Sequence, residues 1–193
     1  MRLAGTAHTE RPWRIHDIAA DFELEDVWAL PTPGGADDFP RLVRMGAALD
    51  PSTSGSAPVR ALFALRWKLG ELLGWDAAET GLGARVPTLR NRLPADLAGT
   101  PPQFASLPFT PLYLLEDEFA AEIANRTVHG VLHLGWVPEE GDDRYRGQMA
   151  VLVKPNGLLG RAYMAAIRPF RYLLVYPALL REIGRAWADG RLQ

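Results

Sequence analysis

Three segments between Leu112 and Lys154 alternate apolar and polar residues, and the links between them are short. "LYLLEDEFAAEIAN", "TVHGVLHLGWV" and "RYRGQMAVLVK" are joined at Asn125–Arg126 and through "PEEGDD". A period of two with short links specifies a three-stranded antiparallel meander. Folding about Asn125 and Arg126 sets Ile123 opposite Val128, Phe119 opposite Leu132 and Asp117 opposite Leu134. The second link sets Trp136 near Tyr145, Leu132 near Met149 and Gly130 near Val151. One face then gathers Phe119, Leu132, Leu134, Trp136, Tyr145, Met149 and Val151, and such a face needs an apolar cover.

The cover is expected from "GLLGRAYMAAIRPFRYLLVYPALLREIGRAW", Gly157 to Trp187. Arg161, Arg168, Arg171 and Arg181 interrupt it too often for a membrane span, which needs about 20 largely uncharged residues. Its basic face is also too sparse for a helix lying in the membrane surface. Leu159, Tyr163, Ile167, Phe170, Leu174, Leu180, Ile183 and Trp187 recur at helical spacing, with the arginines on the side left in water. Pro169 predicts a short helix, a kink near Arg168–Pro169 and a longer helix beyond.

Before the meander, "DIAADFELEDVWAL" (Asp17 to Leu30) alternates like a half-buried strand interrupted by Asp26. Two helices follow, one capped near Asp37 or Asp38 and a clearer one in "PVRALFALRWKLGELLG", Pro58 to Gly74. From residue 75 to 111 prolines forbid long regular elements, which predicts either a lid over a site or a passive wrapping loop.

The 193 residues suit a single domain with a self-sufficient core, and 48% hydrophobic with 23% charged residues excludes a wholly disordered chain. A net charge of −2 offers no attraction to nucleic acid. Without cysteine there is no thiolate chemistry and no disulfide. No signal-peptide core opens the sequence, so the cytoplasm is the expected compartment. No dinucleotide fingerprint, P-loop or EF-hand occurs, and no cofactor is expected.

Chemistry has three candidate places. On the other face of the meander Glu122 meets His129 and Glu118 meets His133, which is either a pair of proton-transfer or metal-binding couples or a row of exposed cross-strand ion pairs. On the apolar face Asp117 and Tyr145, with Asp26 beside them, are acid–base candidates. Arg161, Arg168 and Arg171 either fork onto an anionic headgroup or pair with Asp and Glu.

"DIAADFEL", "LRWKLGELLGW", the meander and above all the "GR-Y----RPF" pattern at Gly160, Arg161, Tyr163, Arg168, Pro169 and Phe170 resemble a bacterial domain-of-unknown-function family, number 2867, over about Asp17 to Trp187. The chain looks like a stand-alone member of a family also found behind short-chain-dehydrogenase-like domains. The resemblance implies an α+β helix-grip fold of the Bet v 1 or START type. In it a curved antiparallel sheet wraps a long, kinked C-terminal helix, with two short helices in the N-terminal half. The expected function is binding of a small apolar or amphipathic molecule between sheet and helix, against Phe119, Leu132, Leu134, Trp136, Tyr145, Met149, Val151, Tyr163, Ile167, Phe170 and Leu174. The alternatives are a cyclase- or hydratase-like enzyme in that cavity, and an interaction module acting beside a reductase-like partner or as a homodimer.

Overall fold

The computed structural model describes residues 1–48, 50, 60, 82, 86–97, 101–125, 127–139, 141 and 143–190. Its strands are Arg2–Leu3 (β1), Glu23–Ala29 (β2), Thr110–Leu114 (β3), Glu118–Ala124 (β4), Val128–Pro138 (β5) and Tyr145–Pro155 (β6). They form one curved, open antiparallel sheet in the order β1-β2-β6-β5-β4-β3. The helices are Thr6–Thr9 (α1), Ile15–Ile18 (α2), Phe39–Ala48 (α3), Gly157–Phe170 (α4) and Tyr176–Ala188 (α5). A π-helical turn at Arg171–Val175 joins α4 and α5 into one C-terminal helix of 32 residues. No helix among the described residues is long and apolar enough to cross a membrane.

The meander forms, with both hairpins shifted two residues from the expected register. Phe119 faces Leu134, Leu134 faces Met149 and Leu132 faces Val151. In the first hairpin the cause is the turn, where Asn125 Oδ1 accepts from Thr127 N at 2.9 Å, Thr127 Oγ1 at 2.7 Å and Val128 N at 3.1 Å. With Asn125 N also donating to Val128 O at 2.9 Å, the closure sets Asn125 opposite Val128, so the turn is centred one residue further along than expected and Ala124 pairs with His129. A shift of two leaves every side chain on its expected face.

Two expectations about the elements change. "LYLLEDEF" is two strands rather than one, because the acidic Glu116 and Asp117 sit exposed in a turn between β3 and β4. Pro111 is tolerated in β3 because β3 is the sheet edge. Asp17 and Ile18 belong to α2, so β2 starts only at Glu23. The helix expected at Pro58 to Gly74 lies, Arg60 apart, outside the described residues, as does much of the Pro-rich stretch.

The sheet is covered on both faces. α3 and the C-terminal helix pack Phe39, Leu42, Tyr176, Ile183 and Trp187 onto Trp28, Phe119, Leu134, Trp136 and Met149. On the other side α1, α2 and the 3-10 turns Leu89–Arg92 and Ala95–Leu97 bring Trp13, Ile15, Ile18, Leu89 and Leu97 against Tyr113, Val131, Val137 and Leu152. The face read from sequence as solvent-facing is therefore a second core.

The C-terminal helix is seated through Gly160. A Cβ there would run into the carbonyl oxygen of Thr127, and the same Thr127 oxygen accepts Asn156 N at 2.8 Å just before the helix begins. Gly160→Ala must lift the helix from the turn, since the obstacle is backbone. We expect it to lower stability by about 1–3 kcal/mol, read as a lower urea midpoint at unchanged m. An unaltered midpoint would mean that the helix is not seated on Thr127.

Candidate functional site

Two departures from regular structure face each other across the sheet and the C-terminal helix. In β2 the register shifts between Leu24 and Asp26, so Glu25 is an extra residue. Leu24 thus joins the outer core while Asp26 and Trp28 turn toward the helix. The π turn begins at Arg171, two residues after Pro169, whose ring nitrogen cannot donate to the preceding turn. Bulges and π turns both re-aim single side chains, and both recur at functional sites.

The two irregularities bring Asp26 and Arg171 together. Arg171 Nη2 donates to Asp26 Oδ2 at 2.7 Å, Tyr176 Oη donates to the same oxygen at 3.1 Å, and Trp28 Nε1 donates to Asp26 Oδ1 at 3.1 Å. Arg171 also donates to the Tyr176 hydroxyl. The Asp26 side chain is fully enclosed and that of Arg171 only 14% exposed, so the arginine is not on the watered side of the helix as its spacing implied. Burial pushes the Asp26 carboxyl up from its ordinary range, opposed by the Arg171 charge and the Tyr176 and Trp28 donors. Burial opposes the Arg171 charge, but Tyr176, Asp26 and Glu25 outweigh it and keep the guanidinium protonated. Burial likewise raises Tyr176, which stays a phenol and a donor. Nearer solvent, Glu25 takes Arg168 Nε at 2.9 Å and Nη2 at 3.2 Å.

Around this polar centre the seam between sheet and helix is packed unevenly. At the α5 end it is closed by aromatic rings, with Trp28 and Tyr176 centroids 4.6 Å apart and Trp136 and Trp187 5.9 Å apart. Toward α4, Leu132, Val151, Tyr163 and Ile167 are all only half-buried. Val151 is the cross-strand partner of both Asp26 and Leu132, so the looser end adjoins the ion pair.

Of the other residues read from sequence as a ligand wall, Phe119, Leu134, Trp136 and Met149 are core, and Tyr145 is half-buried at the start of β6. Phe170 and Leu174 point away from the sheet, 53% and 42% exposed. The stripe of large side chains misled because the line that touches the sheet runs through Gly160, Met164, Arg171 and Tyr176. Asp117 lies at the surface in the β3–β4 turn, where partial desolvation of its carboxyl and then the Glu118 charge push it upward. Tyr145 is tied by its backbone to Gly34. The two do not form one site with Asp26.

On the second face Glu118, Glu122, His129 and His133 are all buried rather than exposed. His129 Nε2 lies 2.8 Å from Glu122 Oε2 and His133 Nε2 lies 3.0 Å from Glu118 Oε1. These are diagonal contacts, since the cross-strand partners of the histidines are Ala124 and Ala120. Glu122 also takes Leu89 N at 3.0 Å and the Thr88 hydroxyl. Glu118 accepts from Arg14 N at 2.9 Å, Ile15 N at 3.0 Å and Tyr113 Oη at 2.5 Å. Burial alone would raise the Glu118 carboxyl; the contacts with His133 and Tyr113 outweigh it and hold it low. The pairs thus clamp α2 and the 3-10 turn at Leu89 to the sheet. No group of three or more His, Cys, Asp or Glu with metal-binding proximity occurs among the described residues. A half-open cleft of about 760 Å³ lies near this side, between α1 and the β5–β6 hairpin, lined by Thr6, Ala7, Arg11, Val137, Arg146 and Gln148 among others.

Comparison with curated proteins and with solved structures gives no match. A family model does match, over residues 18–178, which takes in β2, the bulge, the whole meander and Arg168 to Tyr176. The chain therefore belongs to the family described as protein of unknown function, DUF2867.

Proposed function

We propose that this chain binds a small apolar or amphipathic molecule in the seam between the sheet and α4, its polar end toward Asp26, Arg171 and Tyr176. The observation that supports this is the run of half-buried Leu132, Val151, Tyr163 and Ile167 beside a buried ion pair. Ligand sites commonly combine an apolar lining with a few fixed polar groups. A sheet packed on a long C-terminal helix is also the plan of helix-grip proteins, a likeness that supports the reading by analogy.

Native mass spectrometry of freshly purified protein tests for a retained ligand, and titration with 8-anilinonaphthalene-1-sulfonate tests for an apolar site. Leu132→Phe and Ile167→Trp, which fill the looser end, are expected to weaken probe binding about tenfold while stability read from urea unfolding falls by no more than about 1–3 kcal/mol. No mass adduct together with equal probe affinity in all three proteins would remove the proposal. The enzymatic alternative now rests on Asp26 as the buried carboxyl in the seam rather than on Asp117 or Tyr145. A bell-shaped pH dependence of some turnover, lost in Asp26→Asn, would favour it.

A further inference from the structure

Behind the Glu118–His133 pair the N-terminal segment adds three more rings. His8 Nε2 lies 3.2 Å from His133 Nδ1, the His8 and His16 centroids are 4.9 Å apart, and Trp13 is 6.5 Å from His8. His8 and Trp13 are buried, His8 completely. Among the described residues three enclosed nitrogens of this cluster have no protein partner: His8 Nδ1, Trp13 Nε1 and His16 Nε2. Unpaired buried polar atoms are costly, and three in one cluster point to a ligand.

The proton positions follow from the chemistry of the chain of contacts. Glu118, as a carboxylate, only accepts, so His133 Nε2 carries a hydrogen. Burial keeps His133 neutral, so its Nδ1 is a bare acceptor and His8 Nε2 must carry a hydrogen to meet it. Burial and the neighbouring His133 and His16 pull the His8 pKa down to about 3, so His8 is neutral too, and its Nδ1 is a lone pair. The Trp13 indole can only donate. A metal ion would suit the lone pair and be repelled by the indole N–H; an anion would suit the indole and be repelled by the lone pair.

We propose that His8, Trp13 and His16 enclose a binding site for one small neutral hydroxyl-bearing molecule, with Trp13 Nε1–H as its donor, His8 Nδ1 as its acceptor and His16 completing the shell. The occupant is either water or the hydroxyl of a small alcohol, and the two share this chemistry. Glu118, acting through His133, orients His8 and strengthens its free lone pair.

Nuclear magnetic resonance of 15N-labelled protein at pH 7.5 tests this. Long-range spectra of the histidines should show His8 and His133 protonated at Nε2 and bare at Nδ1. The indole proton of Trp13, assigned by triple resonance and by its loss in Trp13→Phe, should give a cross-peak to water with the sign of a molecule held by the protein. Ethanol titration separates the sources. A saturating shift confined to the Trp13 indole and the His8 ring identifies an alcohol hydroxyl as occupant, and an unchanged spectrum with the water cross-peak intact identifies water. A protonated His8 Nδ1, or an indole proton with neither held-water contact nor alcohol response, overturns the proposal.

Discussion

Asp26→Ala is expected to lose about 3–5 kcal/mol of stability, because it strands the Arg171 guanidinium between the sheet and the helix. Arg171 keeps its contact with Tyr176 and a longer one to Glu25 at 3.7 Å, and neither replaces a fully enclosed carboxylate. Arg171→Met should cost a similar amount for the mirror reason, a buried carboxylate left with only the Tyr176 and Trp28 donors. The double variant Asp26→Ala/Arg171→Met should recover much of either loss, since neither charge is then left buried without its partner. The three variants and the parent form a cycle whose coupling is read from urea midpoints followed by circular dichroism. Arg168→Ala is the contrast: Arg168 also pairs with a carboxylate but is 55% exposed, and the expected cost is below about 1 kcal/mol. If Asp26→Ala cost no more than Arg168→Ala, the pair would be solvated and the seam would have no buried polar centre.

That pair also marks where the sequence stops being legible. Period-two alternation gave the strands of the meander, and a shift of two residues in both hairpins left every face intact, because parity is what alternation encodes. In β2 the same logic failed at one residue. "FELEDVW" keeps one parity through Phe22, Leu24, Asp26 and Trp28, yet Glu25 is a bulge, so Leu24 and Trp28 share parity in the sequence and lie on opposite faces. Nothing in a single sequence distinguishes an inserted residue from a paired one. Asp26, which reads as an interruption of an apolar face, is there as the partner of Arg171. The second cover was readable in principle. His129, His133, Glu118 and Glu122 suggested a wet surface, but Val131, Val137, Tyr113 and Leu152 share it and are too apolar for one. Their cover comes from α1, α2 and the 3-10 turns, pieces of four residues or fewer that carry no periodic signal.

Acid should unfold the protein beginning near pH 6.5, earlier than carboxylates alone would cause. His8 titrates near 6.5 in an unfolded chain and near 3 in the fold, where burial is the main cause and the neighbouring His133 and His16 add to it, against a smaller pull from Glu118. Burial lowers His133 as well, against the pull of Glu118 and Asp117. Below pH 6.5 the unfolded chain takes up protons that the folded chain refuses, so stability falls as pH falls. Each refused proton costs about 1.4 kcal/mol per pH unit. Glu118, held below its ordinary value, has the same sign, and its contribution is lost once the pH drops through the folded value. Asp26 has the opposite sign: its raised carboxyl binds a proton more readily in the fold, which offsets part of the loss only in the carboxylate range. The histidines therefore dominate between pH 6.5 and 5. Urea unfolding at half-unit steps over that range should show a slope of up to about 3 kcal/mol per pH unit for two refused protons. His8→Leu removes one of them and should lower the slope by about half, whatever its effect at pH 7.5. A flat profile from pH 7 to 5 would mean that His8 and His133 reach water, and that the N-terminal segment does not seal the second face.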